Sequence, residues 1–311
     1  MRFRLSPEQR QFAATLHELL GGADTAAAAR AWAAGEHDRG LKLWRALADV
    51  GVFALLVDED HGGLGAGPVD LVVACEALGY HAVSGPLVES AAVAPALLTG
   101  DRLTALAEGD LLATVVAPPE VPLALDADVA GVVLDLTGAE LTGAGTGPER
   151  SIDPPRRLFR LPAAAGRSRG VAFDRGVLAV AAQLLGAGQW LLDTSVAYAK
   201  QRTQYGRAIG EYQAIKHLLA DVVTRLELAR PLLYGAAVAG DTSAGDTFAR
   251  DVSAAKVMAG EAALLAARTA LQVHGAIGYT AEHDLGLRLT KVRALAGAWG
   301  TGSFHRVRVL R

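Results

Sequence analysis

The chain has 311 residues, of which 51% are hydrophobic and 20% are charged, and its formal net charge is −3. This composition predicts a globular protein with a sizeable core, and it argues against a disordered chain or a nucleic-acid scaffold because no lysine-rich face or arm is present. The single cysteine, Cys75, excludes an internal disulfide and a cysteine-based metal cluster, which fits a reducing cytoplasm.

Neither export nor membrane insertion is expected. The opening nine residues are followed by no long apolar core, so we expect no signal peptide. The most apolar run, residues 176–192, is interrupted by Gln183 and Gln189 and is too short for a membrane span. The sequence therefore predicts a soluble, cytoplasmic protein with a buried apolar helix.

Residues 1–112 are predicted to form an N-terminal helical domain. Ser6-Pro-Glu-Gln9 combines an N-cap serine, a proline at the first helical position and a glutamine three residues after the cap. Apolar residues then recur at helical spacing, at Phe12, Leu16, Leu19 and Leu20 and again at Trp44, Leu47, Ala48 and Val52. The glycines between positions 62 and 67 are interpreted as a turn between helices, because the context of a phosphate loop is missing.

Residues 113–173 are predicted to form a small β module. Three short segments rich in β-branched and aromatic residues, 111–116, 129–136 and 158–161, are separated by Pro and Gly. The consecutive prolines at 118–119 and 154–155 indicate turns or sheet edges, since proline cannot donate a hydrogen bond within a central strand.

Residues 174–311 are predicted to form a C-terminal helical bundle. Periodic patterns cover residues 178–200, 212–238 and 248–273, and a fourth helix begins near Glu282 and continues to about Arg293. Asp246 is expected to cap the third helix, and Gly240 and Gly245 to close the second. Short connections favour an up-and-down four-helix bundle, so the fold class is mainly α with a small β module.

The sequence predicts no metal site. The eight histidines form no ligand pattern, and His217 and His274 are interpreted as packing residues on helical segments. The acidic run Asp58-Glu-Asp60 is interpreted as a solvated loop.

Arg202 and Gln213 flank a short turn that contains Gly206 and Gly210, between two predicted helices. A guanidinium offers a planar fork of donors suited to phosphate oxygens, and the amide can reach the same ligand. The alternative is a solvated arginine that faces the negative end of a helix dipole.

Three separated segments resemble the acyl-CoA dehydrogenase family. Residues 202–221 resemble its Arg-x-x-(Phe/Tyr)-Gly…Gln…Leu-Ala-Asp signature, and Gln272-Val-His-Gly-Ala-Ile-Gly-Tyr-Thr-Ala-Glu282 resembles its Gln-x-x-Gly-Gly-x-Gly-(Tyr/Phe)…Glu segment, with Ala276 at one glycine. Residues 47–51, 59–65 and 76–79 are similar to its N-terminal helical domain. The resemblance implies an N-terminal helical domain, a reduced β domain and a C-terminal four-helix bundle.

The resemblance also implies FAD as the cofactor, held where subunits of a tetramer meet. By matching position, the cofactor-binding candidates are Arg202, Gln204, Tyr205, Gln213, Gln272, Gly275, Ala276 and Thr301. Small residues permit the close backbone approach that a flat adenine needs. The alternative is that these residues hold helices together in a chain that no longer binds FAD.

The middle of the chain departs from the family pattern. Where family members carry a Thr-Glu-Pro-x-x-Gly-Ser-Asp segment, this chain reads Val115-Val-Ala-Pro-Pro-Glu120, and the Trp/Phe-(Ile/Val)-Thr strand beside the flavin ring is missing or heavily shortened. We therefore expect that this chain cannot build the isoalloxazine half of the site alone.

The catalytic base of the family also has no clear equivalent. Many members place a Glu before a Gly-Thr turn, and here that position is Trp299, which cannot take a proton and is expected to serve in packing. A subset places the base before an Arg at the start of the first C-terminal helix, where this chain has Asp174 and Arg175. Asp174 is thus a candidate base and Arg175 a candidate substrate contact, with a helix N-cap as the alternative for Asp174.

Three functions remain open from the sequence. The favoured one is the short subunit of a heterotetrameric, FAD-dependent acyl-CoA dehydrogenase, with a longer partner subunit, a bulky and possibly steroid-derived acyl-CoA as substrate, and an electron-transferring flavoprotein as acceptor. The alternatives are a non-catalytic scaffold subunit of the same fold and a self-sufficient homo-oligomer that uses Asp174.

Overall fold

The computed structural model describes residues 4–143, 145–162, 170–242, 246–280 and 283–310. The first part of the chain is helical, as predicted, and consists of α1 (Pro7–Gly21), α2 (Thr25–Ala33), α3 (Asp38–Asp49), α4 (Pro68–Tyr80) and α5 (Asp101–Ala107). The predicted start of α1 is confirmed, because the Gln9 N–H donates to Ser6 Oγ at 3.2 Å and the Ser6 N–H donates to Gln9 Oε1 at 3.0 Å.

The β module contains two small sheets. Strands β1 (Ala113–Val116) and β3 (Val132–Asp135) pair in parallel, whereas β2 (Ala124–Leu125), β4 (Thr146–Glu149) and β5 (Leu158–Arg160) form an antiparallel sheet in the order β2-β5-β4. The three predicted segments correspond to β1, β3 and β5. The sequence missed β2, which is only two residues long, and β4, whose Thr-Gly-Pro-Glu sequence is exposed throughout and has no apolar alternation.

The C-terminal part contains three long helices and two short ones. These are α6 (Val171–Gln201), α7 (Gln213–Thr242), α8 (Asp246–His274), α9 (Leu285–Gly297) and α10 (Gly302–Val309), with a two-stranded hairpin, β6 (Thr203–Gln204) and β7 (Arg207–Ala208), between α6 and α7. The prediction that Gly240 closes α7 is wrong. A Cβ at Gly240 would lie 2.8 Å from the Phe248 ring, so this glycine permits close packing of α7 against α8. Gly245 and Glu282 lie outside the described residues.

Helix α6 packs both against the N-terminal helix α4 and against helix α8 of the C-terminal part. Gly186 of α6 faces α4 so closely that a Cβ there would lie 1.9 Å from the Glu76 carbonyl oxygen. Buried residues of the N-terminal helices, the β1–β3 sheet and the bundle form one continuous apolar core. The division into residues 1–112, 113–173 and 174–311 therefore stays a prediction.

Among the described residues, one helix, α6, is long and apolar enough to cross a membrane. Its most apolar window is 89% buried inside the protein. The apolar character of α6 is therefore that of a core helix, as the sequence predicted.

Candidate functional site

The corner between α6 and α7 carries four of the sequence-predicted residues. Helix α6 ends at Gln201, Arg202 follows as its C-cap, and α7 begins at Gln213. At the tip of the hairpin between them, Tyr205 and Gly206 have φ values of 53° and 81°. Two consecutive positive φ values are typical of a type I′ turn, which matches the twist of a hairpin. The Tyr205 side chain is therefore held almost wholly in solvent.

Backbone and aromatic contacts fix this corner. The Ile209 N–H donates to the Arg202 carbonyl oxygen at 2.8 Å, and the Tyr212 hydroxyl donates to the Gln204 carbonyl oxygen at 3.2 Å. The Arg207 guanidinium carbon lies 4.1 Å from the centroid of the Tyr212 ring. These contacts use backbone atoms and the side chains of Arg207 and Tyr212, and the side chains of Arg202 and Gln213 are exposed.

The Gln272 segment lies at the same end of the bundle. Gln272 is exposed in the last turn of α8, and a 3₁₀ turn, Gly275–Tyr279, follows. The His274 ring stacks on Tyr198 at 4.4 Å between centroids, and Tyr198 lies one turn before Arg202. This stacking ties the two family segments together, and it confirms the interpretation of His274 as a packing residue.

The backbone at Gly275 is open. Its φ is 62°, and a Cβ built there would meet no atom within 4 Å. Ala276 beside it is exposed. The segment can therefore accept a flat group against its backbone, which is the requirement for an adenine contact.

Thr301 does not belong to this end of the bundle. Its hydroxyl is the N-cap of α10 and accepts a hydrogen bond from the Phe304 N–H at 3.2 Å. His305 of α10 lies 3.2 Å from the Ser253 hydroxyl, and Ser253 is 19 residues before Gln272 on α8, or about 28 Å along the helix. Thr301 and the corner residues therefore belong to two separate groups of candidates.

Asp174 is buried and paired. The residue is 4% exposed, and the Arg308 guanidinium donates to Asp174 Oδ1 at 2.7 Å. Burial raises the pKa of Asp174, and the positive charge of Arg308 opposes that rise. The N-cap interpretation is wrong, because Gly170 is the N-cap of α6 and Asp174 lies in the first turn. Its role as a base stays a prediction, as does substrate contact by the half-buried Arg175.

Trp299 packs against the N-terminal part of α6, next to Gly176. It is 2% exposed, and a Cβ at Gly176 would lie 2.7 Å from its ring, so only glycine fits at that point of α6. Its ring centroid lies 5.6 Å from that of Phe173. The expected packing role of Trp299 is confirmed.

Sequence reasoning missed Glu89, the hydrogen-bond partner of Trp299. The indole N–H donates to Glu89 Oε1 at 3.2 Å, and Glu89 is 2% exposed. Burial raises the pKa of Glu89, and its Oε2 has no hydrogen-bond partner among the described atoms. The signal in the sequence was a single carboxylate within an apolar run, residues 87–94.

Glu89 and Asp126 line a small internal cavity. The cavity has a volume of about 10 Å³, and Arg156 and Lys291 also line it. That volume is enough for roughly one water molecule. Acidic and basic side chains from the N-terminal helices, the β module and α9 therefore line the same cavity.

Asp126 should make the stability of the protein depend on pH. The Trp32 indole N–H donates to Asp126 Oδ1 at 2.9 Å, and burial raises the pKa of Asp126 to about 7 from 3.8. Between these two values the folded protein holds a proton that the unfolded chain has released. The contribution of Asp126 to stability is therefore largest below pH 4 and falls as the pH rises to 7, by at most about 1.4 kcal/mol per pH unit.

Urea unfolding at several pH values checks this expectation with Asp126→Asn, which keeps an acceptor for Trp32. The variant should gain stability relative to the unmodified protein as the pH rises from 4 to 7. The exposed Asp60→Asn serves as the control for loss of a carboxylate. Parallel pH profiles for the Asp126 variant and the unmodified protein would contradict the expectation.

Two family models match most of the chain. Residues 6–100 match the acyl-CoA dehydrogenase N-terminal domain, and residues 169–311 match the acyl-CoA dehydrogenase C-terminal domain. Neither of these two models covers residues 101–168, which include the β module.

Known proteins resemble the chain over almost its whole length. Acyl-CoA dehydrogenase IpdE2 of Mycolicibacterium smegmatis is 35% identical over 83% of each chain, and IpdE2 of Mycobacterium tuberculosis is 33% identical over 93% of this chain and 92% of its own length. A variant of the Tcur3481-Tcur3483 steroid ACAD has a TM-score of 0.84 at 23% identity, covering 97% of this chain and 96% of that one. An FAD complex of PigA has a TM-score of 0.81 at 19% identity, covering 100% and 98%. The chain therefore belongs to the acyl-CoA dehydrogenase family.

Proposed function

We propose that this chain is the short subunit of a two-component, FAD-dependent acyl-CoA dehydrogenase, which introduces a double bond between Cα and Cβ of an acyl-CoA thioester. The chain supplies the nucleotide end of an FAD site at a subunit interface, and a longer acyl-CoA dehydrogenase subunit supplies the region around the flavin ring. The observation that carries this proposal is the α6–α7 corner, where Arg202 and Gln213 face solvent from a fixed backbone.

The residues at this end of the bundle fit the nucleotide half of FAD. Arg202 would hold the pyrophosphate, with Gln204 and Gln213 as polar contacts. The exposed Gln272 and the open backbone at Gly275 and Ala276 would accept the adenosine, and Tyr205 would pack beside it. FAD, the cofactor of this family, supplies a two-electron acceptor when it is bound.

The other half of the site supports the need for a partner. Where many relatives have the base, Trp299 is a buried packing residue, and Asp174 is paired with Arg308 away from solvent. The base that removes the α-proton is therefore proposed to come from the longer subunit.

The proposed substrate is a bulky acyl-CoA, such as a steroid-derived thioester. A solved structural neighbour is described as a variant of the Tcur3481-Tcur3483 steroid ACAD. A shortened middle region would leave room for an acyl group too wide for a fatty-acyl tunnel. An electron-transferring flavoprotein is the proposed acceptor, and the cytoplasm the proposed location.

Replacing Arg202 with Ala should remove FAD from the assembled enzyme. A charge-assisted hydrogen bond to phosphate contributes about 1.5–3 kcal/mol, so the dissociation constant of FAD should rise by roughly 10- to 150-fold. The chain is co-purified with its partner subunit, and the ratio of flavin absorbance to protein is measured after gel filtration. The matched control is Arg250→Ala, which removes an exposed arginine from the first part of α8, far from Gln272.

The same experiment separates the alternatives. If the chain is only a scaffold subunit, the assembly with the Arg202 variant should keep its full flavin content. This result would contradict the proposal. A chain that purifies alone with bound flavin would instead support the self-sufficient homo-oligomer that uses Asp174.

Turnover of a steroid-derived and a linear acyl-CoA by the assembled pair tests the substrate class. A preference for the linear thioester counts against a bulky substrate.

A further inference from the structure

Two buried carboxylates are bound to indole groups in the same way. Glu89 Oε1 accepts a hydrogen bond from the Trp299 indole at 3.2 Å, and Asp126 Oδ1 accepts one from the Trp32 indole at 2.9 Å. In each carboxylate the second oxygen, Glu89 Oε2 or Asp126 Oδ2, is buried and has no hydrogen-bond partner among the described atoms. A buried carboxylate oxygen without a donor is costly, so both oxygens require one.

Both carboxylates line the internal cavity of about 10 Å³. The other polar residues that line this cavity are Ser84, Gln183, Arg156 and Lys291. A water molecule in a buried cavity makes two to four hydrogen bonds, and this cavity offers carboxylates that accept and cations that donate. Because the cavity is about the size of one water molecule, both carboxylates lie within reach of the same water.

A third buried carboxylate, Asp153, belongs to the same cluster of charges. It is 1% exposed, its Oδ1 accepts a hydrogen bond from the Thr290 hydroxyl at 3.2 Å, and its Oδ2 has no partner among the described atoms. Burial raises the pKa of Asp153, and the positive charges of Lys291 and Arg156 oppose that rise. The same two cations line the cavity, so three carboxylates share them.

The two cations do not balance the three carboxylates. Lys291 is 6% exposed and donates to the Val83 carbonyl oxygen at 2.6 Å, and Arg156 is half-buried. With all five side chains ionised, the cluster would carry a net charge of −1 in a low-dielectric interior, which is unfavourable. One bound proton makes the cluster neutral.

The charged groups around the cluster have other partners. Asp128, which faces Asp126, is ion-paired with Arg157. Lys256 donates to two carbonyl oxygens in the last turn of α9, at 3.0 and 3.1 Å, and the Arg288 guanidinium carbon lies 4.1 Å from the Trp190 ring centroid. These contacts leave the three carboxylates and two cations to balance one another.

We propose that this cluster binds one proton and one water molecule, and that Glu89 and Asp126 share the proton through the water in the cavity. The protonated carboxyl donates to the water, and the water donates to the other carboxylate, so each unpartnered oxygen gains a hydrogen bond. The two acids then titrate as a pair rather than independently.

This inference goes beyond the proposed function and depends neither on FAD nor on a partner subunit. Unfolding should release the shared proton, because exposed Asp and Glu ionise near about pH 4. Above that pH the folded protein holds one proton more than the unfolded chain, so the contribution of the pair to stability is fully present below about pH 4 and falls as the pH rises. Between about pH 5 and 6 this proton should raise the equilibrium constant for unfolding about tenfold per pH unit.

Two substitutions distinguish a shared proton from a proton held by Asp126 alone. Glu89→Gln and Asp126→Asn are made singly in the full chain, and urea unfolding is measured between about pH 5 and 6. Each variant removes one negative charge and leaves a neutral cluster without a proton, so each alone should abolish the tenfold dependence. The exposed Asp60→Asn is the control and should keep it. An unchanged dependence in Glu89→Gln would overturn the proposal, because Asp126 would then hold its proton without Glu89.

Infrared spectroscopy of the folded protein supplies a second measurement that does not depend on stability. The carbonyl stretch of a protonated carboxyl group is separate from the bands of a carboxylate, so the unmodified protein should show it at pH 6 and each single variant should lose it. A band of unchanged intensity in either variant would contradict a shared proton. A crystal structure should show one water molecule between Glu89 Oε2 and Asp126 Oδ2, and a metal cation bound there by both carboxylates would overturn the proposal.

Discussion

Replacing Arg308 with Met is expected to lower the free energy of unfolding by about 3–5 kcal/mol. The guanidinium is the cation that pairs with the buried Asp174, and its carbon lies 5.4 Å from the Phe173 ring centroid. Methionine fills most of the same volume but leaves an uncompensated carboxylate in the core. The cost therefore arises from the orphaned charge rather than from lost packing.

A double-mutant cycle measured by urea unfolding checks this expectation. Asp174→Leu combined with Arg308→Met removes both charges and should recover most of the lost stability, because an apolar pair of similar volume avoids the desolvation penalty. If Arg308→Met alone were as stable as the unmodified protein, the ion pair between Asp174 and Arg308 would contribute nothing to the free energy of unfolding.

Asp174→Asn in the assembled enzyme tests the separate question of the catalytic base. Asparagine keeps an acceptor for Arg308 but cannot take a proton. Turnover lowered by roughly a hundredfold or more, with flavin content unchanged, would identify Asp174 as the base. Turnover close to that of the unmodified enzyme would leave Asp174 as a structural ion-pair partner and place the base in the other subunit.

Trp299→Ala should cost about 3–5 kcal/mol of stability as well. The substitution removes the ring that packs against Gly176 and Phe173, and it takes away the donor that Glu89 Oε1 uses. Trp299 also has a positive φ of 56°, a conformation that strains any side chain. Trp299→Gly should therefore be less damaging than Trp299→Ala by about 1 kcal/mol, because glycine adopts this φ freely.

Thermal and urea unfolding of the two variants, with Trp299→Phe as the matched control, separate the contributions. Phenylalanine keeps much of the ring volume but donates no hydrogen bond, so its cost of about 1–3 kcal/mol reports the buried Glu89 contact. Equal stability of the Phe and Ala variants would mean that ring packing contributes nothing, which would contradict the packing role assigned to Trp299.

The α6–α7 corner was predictable because its signals are local. Arg202 and Gln213 lie at helix ends marked by the glycine turn, and helix ends follow from capping and periodicity. The structure adds that Tyr205 and Gly206 form the hairpin tip and that Tyr198 stacks on His274, which joins this corner to the Gln272 segment.

The buried polar contacts were not predictable, because their partners are far apart in the chain. Glu89 and Trp299 are separated by 210 positions, and Asp174 and Arg308 by 134. A lone Glu in an apolar run indicates burial but not a partner. Asp at a helix start suggested an N-cap, but Gly170 occupies that position.

The amino-acid sequence by itself determined the helical periodicity, the three predicted strands, the family and the residues that present donors at the α6–α7 corner. Each of these depends on the spacing of residues that lie close together in the chain, and this spacing is visible in the sequence. Only the tertiary structure decided that Trp299 donates to Glu89 and that Asp174 is paired with Arg308. Those outcomes depend on which distant side chains share a low-dielectric interior, and long-range packing alone brings them together.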